Sequence, residues 1–550
     1  MSSDFNHDKT INKLAKKAKS GNFFSAIELS NYYNIGRFVS KNKEKSDYYN
    51  GLAYSYFNTQ SVKLKKIKIN NFRLFEKGIG IEGFDEHLNI FVGNNGAGKT
   101  SILDAISLSL SWLSISINKN GGSGEYVDMG DINNYSDIPY ASVASVIELN
   151  KSISASLELS QAREGTTKIK NKLHEFKIVG DFYKIANGFN SDFNMPLLAY
   201  YNVMRSYDVN PKDFKGLDDL YESTVTDKFD AYQKSLTGKT DFKAFIKWYK
   251  KSDDILNRRK VNNNRSAVLS ELGITEETVD FLKSISLGNA NAKKSLGEIN
   301  TALTKNEPVL SDDDNLKRNK EIIDKVINIF MDGYTDIEVQ LEPMIDLIIK
   351  KNDKKISVMK LSQGEKTLLS LVLDIARRLI ILNPSLDNPL RGSGIVLIDE
   401  FDLHLHPLWQ RHMAKNLINT FPNCQFFLTT HSPIVLSEVD RKHVYILSNT
   451  ESGHTVIDRP SQTFGLTANE ILNELMTPDD ISQLVRSQYV EKELEEIFDL
   501  LDQESATALN SAKGKINNLE QLLHGDIPEL VKAKTQMELI KDWLEDCEKD

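Results

Sequence analysis

Residues 93–100 read GNNGAGKT, with the apolar run LNIFV (88–92) before them and SILDAISLSLSWL (101–113) after them. The spacing satisfies G-x-x-x-x-G-K-[ST] in full, and it lies between a predicted strand and a predicted helix, the setting in which this motif grips phosphate. Gly93, Gly96 and Gly98 let the backbone wrap, so that N–H groups of the loop can face a polyphosphate. Lys99 supplies positive charge for the β- and γ-phosphates, and Thr100 offers a hydroxyl to Mg2+. The expected ATP-binding set is Gly93, Asn94, Asn95, Gly96, Ala97, Gly98, Lys99, Thr100 and Ser101. A tight strand–helix turn could carry a chance lysine, but the flanking strand and helix argue against that.

Three later stretches complete a hydrolytic constellation. GIVLIDEFD (394–402) is an apolar strand ending in two carboxylates. Asp399 can complete the Mg2+ shell and Glu400 can polarise an attacking water. FFLTTHSP (426–433) is another apolar strand, and His431 at its end is placed to sense a γ-phosphate. A lone histidine is more often a structural donor, but here it follows a loop and a carboxylate pair that want the same ligand. KLSQGEKTLLS (360–370) starts a helix, with Ser362 as cap and Glu365 three residues on. Such a start is also an anion site, formed by Ser362, Gln363, Gly364 and Glu365. If two chains pack head to tail, each can offer this helix to the other's nucleotide.

The composition fits an ordinary protein with several cores. Of 550 residues, 40% are hydrophobic and 26% charged. Two cysteines, Cys424 and Cys547, have no metal-type spacing, which suits a reducing cytoplasm. The start MSSDFNHDKT has no apolar leader, and no segment reads as a membrane span, since 368–382 is broken by Asp374, Arg377 and Arg378. A net charge of −9 does not advertise nucleic-acid binding. The basic run Lys243, Lys247, Lys250, Lys251, Arg258, Arg259 and Lys260 could contact nucleic acid, although a solvated helix face explains it more simply. His404 and His406 in DLHLHP (402–407) are weak metal candidates, and Arg205 in YYNVMR reads as a phosphate, interface or surface residue.

Periodicity divides the chain. Residues 1–60 read as helices, with Gly21 and Gly36 at turns, and 62–72 alternates like a strand. Residues 62–207 form a first ATPase lobe, 208–330 a polar helical insertion, 331–460 a second lobe, and 461–550 C-terminal helices suited to gripping a partner. The region after 440 reads as helical throughout, without the Glu and D-x-D arrangement on strands that a Toprim nuclease carries. The expected fold class is therefore α/β: a P-loop head of mixed sheet with flanking helices, a helical insertion and helical ends.

The order GNNGAGKT, LSQGE, LIDE, TTHS resembles that of the ABC-type ATPases, in which LSQGE is the signature, DLHLHP the D-loop at a dimer interface, and ATP is sandwiched between two subunits. This chain has Gln363 where Gly is usual and Glu365 where Gln is usual, the latter as in the SMC-like branch. MGDINNY (129–135) lies in the Q-loop region but contains no Gln. LSQGEK, DEFDLHLHP, TTHSP, TFGLTANEIL and HGDIPEL together resemble the PtuA-type ATPases of Septu anti-phage systems. Residues 1–60 look like a Sel1-type helical repeat, through Tyr32, Tyr33, Gly36, Val39, Lys41, Tyr48 and Tyr49, which points to the retron-associated form. That resemblance implies ATP and Mg2+ as cofactors and a homodimer or higher oligomer. Its implied partners are an HNH nuclease, PtuB, and a retron reverse transcriptase with its RNA–DNA hybrid. It also implies an ATPase that controls a nuclease and is not itself one. The alternative is an SMC/RecF-like DNA-repair ATPase that clamps DNA.

Overall fold

The computed structural model describes residues 2–57, 61–119, 121–167, 169–207, 227–252, 313–340, 346–450, 454–476, 487–523, 525 and 527–547. The chain forms two compact units, Met1–Gly465 and Leu466–Asp550.

The first unit is organised on a six-stranded sheet. Its strands include β3 (Leu88–Gly93), β6 (Leu197–Tyr201), β10 (Gly394–Ile398), β11 (Cys424–Thr429), β12 (Val444–Asn449) and β13 (Thr455–Asp458), in the order β13-β12-β3-β11-β10-β6. All neighbours are parallel except the edge pair β12–β13. The runs LNIFVG, GIVLI and CQFFLT are buried at every position, as parallel strands covered on both faces must be.

A second, antiparallel sheet has the order β2-β1-β4-β5, from β1 (Val62–Asn70), β2 (Ile79–Glu82), β4 (Tyr140–Leu149) and β5 (Ile153–Ala162). Between the two sheets runs α4 (Lys99–Asn118), which touches strands of both. The helix is buried along most of its length, small serines Ser107, Ser109, Ser111, Ser114 and Ser116 included. Its length and composition would suit a membrane span, contrary to the sequence expectation, but 83% of its apolar window is buried inside the unit. Gln425 joins the sheets. Its amide accepts from Leu64 N at 2.7 Å and donates to the carbonyls of Leu64 at 3.1 Å and Asp85 at 2.9 Å.

The helices α1 (Ser2–Lys19), α2 (Phe23–Ile35) and α3 (Lys43–Tyr56) start and stop on local chemistry. Asn22 and Asn42 cap the N-termini of α2 and α3, and Gly36 takes the left-handed position that ends α2. These helices dock on α5 (His174–Phe189): Phe57 lies 4.9 Å from Phe182 and 5.1 Å from Tyr183, and Phe23 lies 5.0 Å from Phe182. They belong to the same compact unit as the P-loop.

In the insertion, residues 208–226 and 253–312 lie outside the described residues, as do Arg258, Arg259 and Lys260. Lys243, Lys247, Lys250 and Lys251 fall on a helix at 242–252. Helix α6 (Asp313–Phe330) then leads to a small antiparallel sheet, β7 (Tyr334–Gln340), β8 (Asp346–Lys351) and β9 (Lys354–Ser357), and to α7 (Gln363–Leu382). Helix α8 (Pro407–Thr420) follows β10.

One reading is corrected. The region after 440 is not helical throughout, because 444–449 and 455–458 form β12 and β13. The open edge of β3 provides partners for β12, and at Gly93 the backbones leave no room for a side chain: a Cβ there would stand 2.3 Å from the Leu447 carbonyl oxygen. The strands themselves, VYILSN and TVID, carry no Glu and no D-x-D.

The second unit contains α9 (Gln488–Leu501), α10 (Ala506–Leu523) and α11 (Pro528–Cys547). Its core holds Leu494, Ile497, Leu501, Ile516, Leu519 and Leu530, and Lys515 bridges Glu493 and Glu496 at its surface.

Candidate active site

The C-terminal ends of β3, β10 and β11 bring three of the sequence motifs to one edge of the central sheet. At this edge the chain turns into the loop 93–98, the Asp399–Glu400 corner and the Thr429–His431 segment. Gly98 caps α4 with φ 97°, and a Cβ there would stand 2.5 Å from the Phe75 ring, so conformation and space both require glycine. The Lys99 ammonium is buried and donates to the carbonyls of Gly93 at 2.8 Å and Asn94 at 3.1 Å. Burial pushes it below its usual value, against the pull of Asp399, Glu400 and Asp402.

Asp399 is the hub of the edge. Its carboxylate accepts from the Thr100 hydroxyl at 3.0 and 3.2 Å and from the Thr429 hydroxyl at 2.6 Å. Thr429 in turn accepts from Glu400 N at 2.7 Å. Glu400 has φ 45°, the left-handed region that a non-glycine residue avoids.

Arg205, on the turn after β6, is 1% exposed and is not the surface residue that the sequence allowed. Its guanidinium donates to the carbonyls of Asn202 at 2.9 Å, Asp399 at 2.5 Å and Glu400 at 2.6 Å. Burial lowers it to about 10, with Asp399 opposing, so it stays charged at neutral pH. Tyr201 joins this corner to α7: its carbonyl accepts from Asp399 N at 2.8 Å and its hydroxyl donates to Asp374 at 2.9 Å. Asp374 is buried between Arg377 and Arg378, each at 2.8 Å.

His431 is half-buried. Burial first, and the Lys99 ammonium second, hold its imidazole below the usual value, with Glu400, Asp402 and Asp399 opposing. Burial also raises the Asp402 carboxyl. The pair His404 and His406 has other tasks: the His406 ring accepts from Leu408 N at 3.3 Å and caps α8, and His404 turns with φ 63°.

The signature helix lies apart from this edge in its hydrogen bonding. Ser362 Oγ accepts from Glu365 N at 3.3 Å, and Glu365 accepts from Ser362 N at 2.7 Å, closing the expected capping box. Gly364 is packed under the His404 carbonyl, and Glu365 accepts from the Tyr334 hydroxyl and from Lys351 Nζ, the latter at 3.0 Å. Ser362 and Gln363 are exposed. Thus Gly93–Ser101, Asp399, Glu400 and His431 gather along one edge, while the signature helix exposes Ser362 and Gln363 at its start.

Sequence reasoning missed the roles of Tyr201, Arg205 and Thr429. Arg205 was singled out in YYNVMR as a phosphate, interface or surface residue, but nothing in the sequence pointed to its carbonyl partners. In the Q-loop region, Asp131 accepts from Arg73 Nε at 2.8 Å, and Gln161 Nε2 lies 3.2 Å from Met129 Sδ.

The oxygen donors suit a hard divalent cation: a threonine hydroxyl and a buried carboxylate already face one another at 3.0 Å. A backbone loop opening α4 suits phosphate.

The family model described as AAA ATPase domain matches residues 63–436. The chain is 34% identical over 487 residues to the Retron Vc95 probable ATPase of Vibrio cholerae serotype O1 biovar El Tor, covering 88% of this chain and 92% of that one. It is 32% identical over 548 residues to the Retron Ec83 probable ATPase of Escherichia coli, covering 98% of both. A Septu protein PtuA of Bacillus mycoides (strain KBAB4) matches at 33% identity over 156 residues, 26% of this chain and 21% of that protein. With the P-loop, the carboxylate corner and the histidine on one sheet edge, these likenesses place the chain in the AAA ATPase domain family, among the PtuA-type ATPases associated with retrons.

Proposed function

We propose that the chain binds and hydrolyses ATP at the edge formed by Lys99, Thr100, Asp399, Glu400 and His431. The reading rests above all on the Thr100 hydroxyl and the Asp399 carboxylate facing each other at 3.0 Å beside the P-loop lysine. The backbone of Gly93–Ser101 cradles the phosphates and Lys99 neutralises them. Thr100 and Asp399 would hold Mg2+, which would supply positive charge against the phosphates. Glu400 orients and deprotonates the attacking water, and His431, kept neutral, offers a hydrogen bond toward the γ-phosphate.

The turn at Ser362–Glu365, exposed at Ser362 and Gln363, completes the site of a second copy, so the working unit is a homodimer or higher oligomer with two composite sites. In this reading the ATP-driven closure of the dimer controls a partner HNH nuclease of the PtuB kind in an anti-phage complex. Residues 461–550 grip that partner, and residues 1–60 act as a Sel1-like module toward a reverse transcriptase with its RNA–DNA hybrid. The chain works in the cytoplasm and is not itself a nuclease. Likeness to retron and Septu ATPases supports this assignment.

The test is to purify the chain alone and with a candidate nuclease, and to assay ATP turnover and cleavage of DNA and RNA with Mg2+ or Mn2+. ATP turnover by the chain alone, with cleavage only when the partner is added, is the expected result. Cleavage by the chain alone that survives Glu400→Gln and is lost on changing another of its residues would overturn the regulatory reading.

A further inference from the structure

We propose that Arg205 is the positioning residue of the hydrolytic corner: its buried guanidinium holds the two consecutive carbonyls of Asp399 and Glu400 and thereby fixes the left-handed turn that aims the Glu400 carboxylate. The proposal rests on the reading of Glu400 as the group that orients water.

The geometry carries the argument. Glu400 sits at φ 45°, where a side chain with a Cβ is strained, so something must hold it there. Its peptide is held from both sides. Thr429 takes the N–H at 2.7 Å, and Arg205 Nη2 takes the carbonyl at 2.6 Å. Arg205 Nη1 reaches the preceding carbonyl, of Asp399, at 2.5 Å. Two donors in a rigid plane engage two successive carbonyls, a fit available to a guanidinium and not to an ammonium.

Burying a cation is costly unless its surroundings answer it, and around Arg205 the answer is electrostatic as well: Asp399, Asp402 and Glu400 all act on it. The arginine's own placement is set by a local turn, in which Asn202 Oδ1 accepts from Met204 N at 2.8 Å and the Asn202 carbonyl accepts from Arg205 N at 3.1 Å and from Nη1 at 2.9 Å.

Acting through Glu400, Arg205 affects the chemical step and not the capture of ATP. The test uses the full chain with Mg2+ and ATP. Arg205→Lys keeps the charge and loses the fork; it is expected to lower kcat about 100-fold, the scale of a misplaced catalytic group. KM and the affinity for a fluorescent ATP analogue stay within about 3-fold of the unmodified chain, since phosphate binding remains with the P-loop. In a Glu400→Gln background the same change adds no further loss, because the group it positions is gone. Should Arg205→Lys fail to fold, Asn202→Ala, which loosens the turn and leaves the guanidinium in place, is expected to lower kcat several-fold at unchanged KM.

Unchanged kcat in a folded Arg205→Lys or Asn202→Ala protein would overturn the proposal. So would a double-variant loss equal to the product of the two single losses. Equal falls in ATP affinity and kcat would reassign Arg205 to the fold or the phosphates. Absence of turnover by the unmodified chain would instead overturn the reading of the site on which the proposal rests.

Discussion

Gly364 lies so close beneath His404 that a Cβ built on it would stand 2.1 Å from the His404 carbonyl oxygen. The contact joins the start of the signature helix to the loop that follows the carboxylate corner. A side chain at 364 would have to displace that carbonyl.

Gly364→Ala is therefore expected to destabilise, although alanine is ordinarily the better helix former. The obstacle is backbone and cannot rotate away, so the cost is about 1–3 kcal/mol, the range for overpacking. Thermal unfolding should show a lower midpoint, and gel filtration with ATP should show weakened self-association. A variant that melts and associates like the unmodified chain would mean that the helix start gives way easily.

Glu365 carries a pH signature. Burial opposes its ionisation, but the Tyr334 hydroxyl, the Ser362 N–H and Lys351 outweigh it and bring the carboxyl from 4.5 down to about 2. A value depressed in the folded chain means that the ionised clamp stabilises fully above about pH 4.5 and fades as pH falls toward 2. Glu365→Gln keeps the capping box and removes the charge. Its stability deficit in urea is expected to be constant from pH 8 to 5 and to shrink between pH 4.5 and 3. A deficit independent of pH would show that the carboxylate's charge contributes nothing.

Glu400→Gln is expected to bind ATP, to turn over about 10²–10⁴-fold more slowly, the span of a lost general base, and to accumulate dimers or larger assemblies. Mixing Lys99→Ala chains with Ser362→Arg chains should restore at most one working site per dimer. Mass photometry paired with phosphate release checks both. Full turnover at dilutions where only monomer is present would exclude a site shared between chains.

Phe57→Ala removes the ring that touches Phe182 at 4.9 Å and Tyr183 at 5.1 Å. Loss of a buried phenylalanine costs about 3–5 kcal/mol. The loss should fall on the docking of the first three helices, so hydrogen exchange should rise across 2–56 and at 174–189, while ATP binding holds. Exchange unchanged in those helices would show that other contacts hold them.

Much of this arrangement is legible in the residues because local chemistry decides it. The loop 93–100 must be glycine-rich to turn, and the runs at 88–93, 394–398 and 424–429 are apolar because both their faces are covered. Ser362 and Glu365 form their box whatever surrounds them. The strand at 444–449 was hidden because its pairing is imposed by β3, more than 350 residues earlier in the chain, and not by its own pattern. Arg205 was opaque for a related reason. Its partners are main-chain carbonyls nearly 200 residues away, and a carbonyl leaves no trace in a sequence. Likewise, the apolar periodicity of α4 does not say that a second sheet waits on its other side.

The knot of Tyr201, Asp374, Arg377 and Arg378 has an evolutionary consequence. Asp374 answers two buried cations and a phenol, so removing it strands two guanidiniums in the core, at a cost of about 3–5 kcal/mol. Loss of Asp374 alone does not lead gently to another arrangement, whereas replacing the whole set with packed apolar side chains is tolerable. Among divergent lineages these four positions should therefore be inherited as a block or exchanged as a block, with mixed intermediates scarce. The same inertia would keep the helix after the signature locked to the strand beside the carboxylate corner while the surrounding surface drifts.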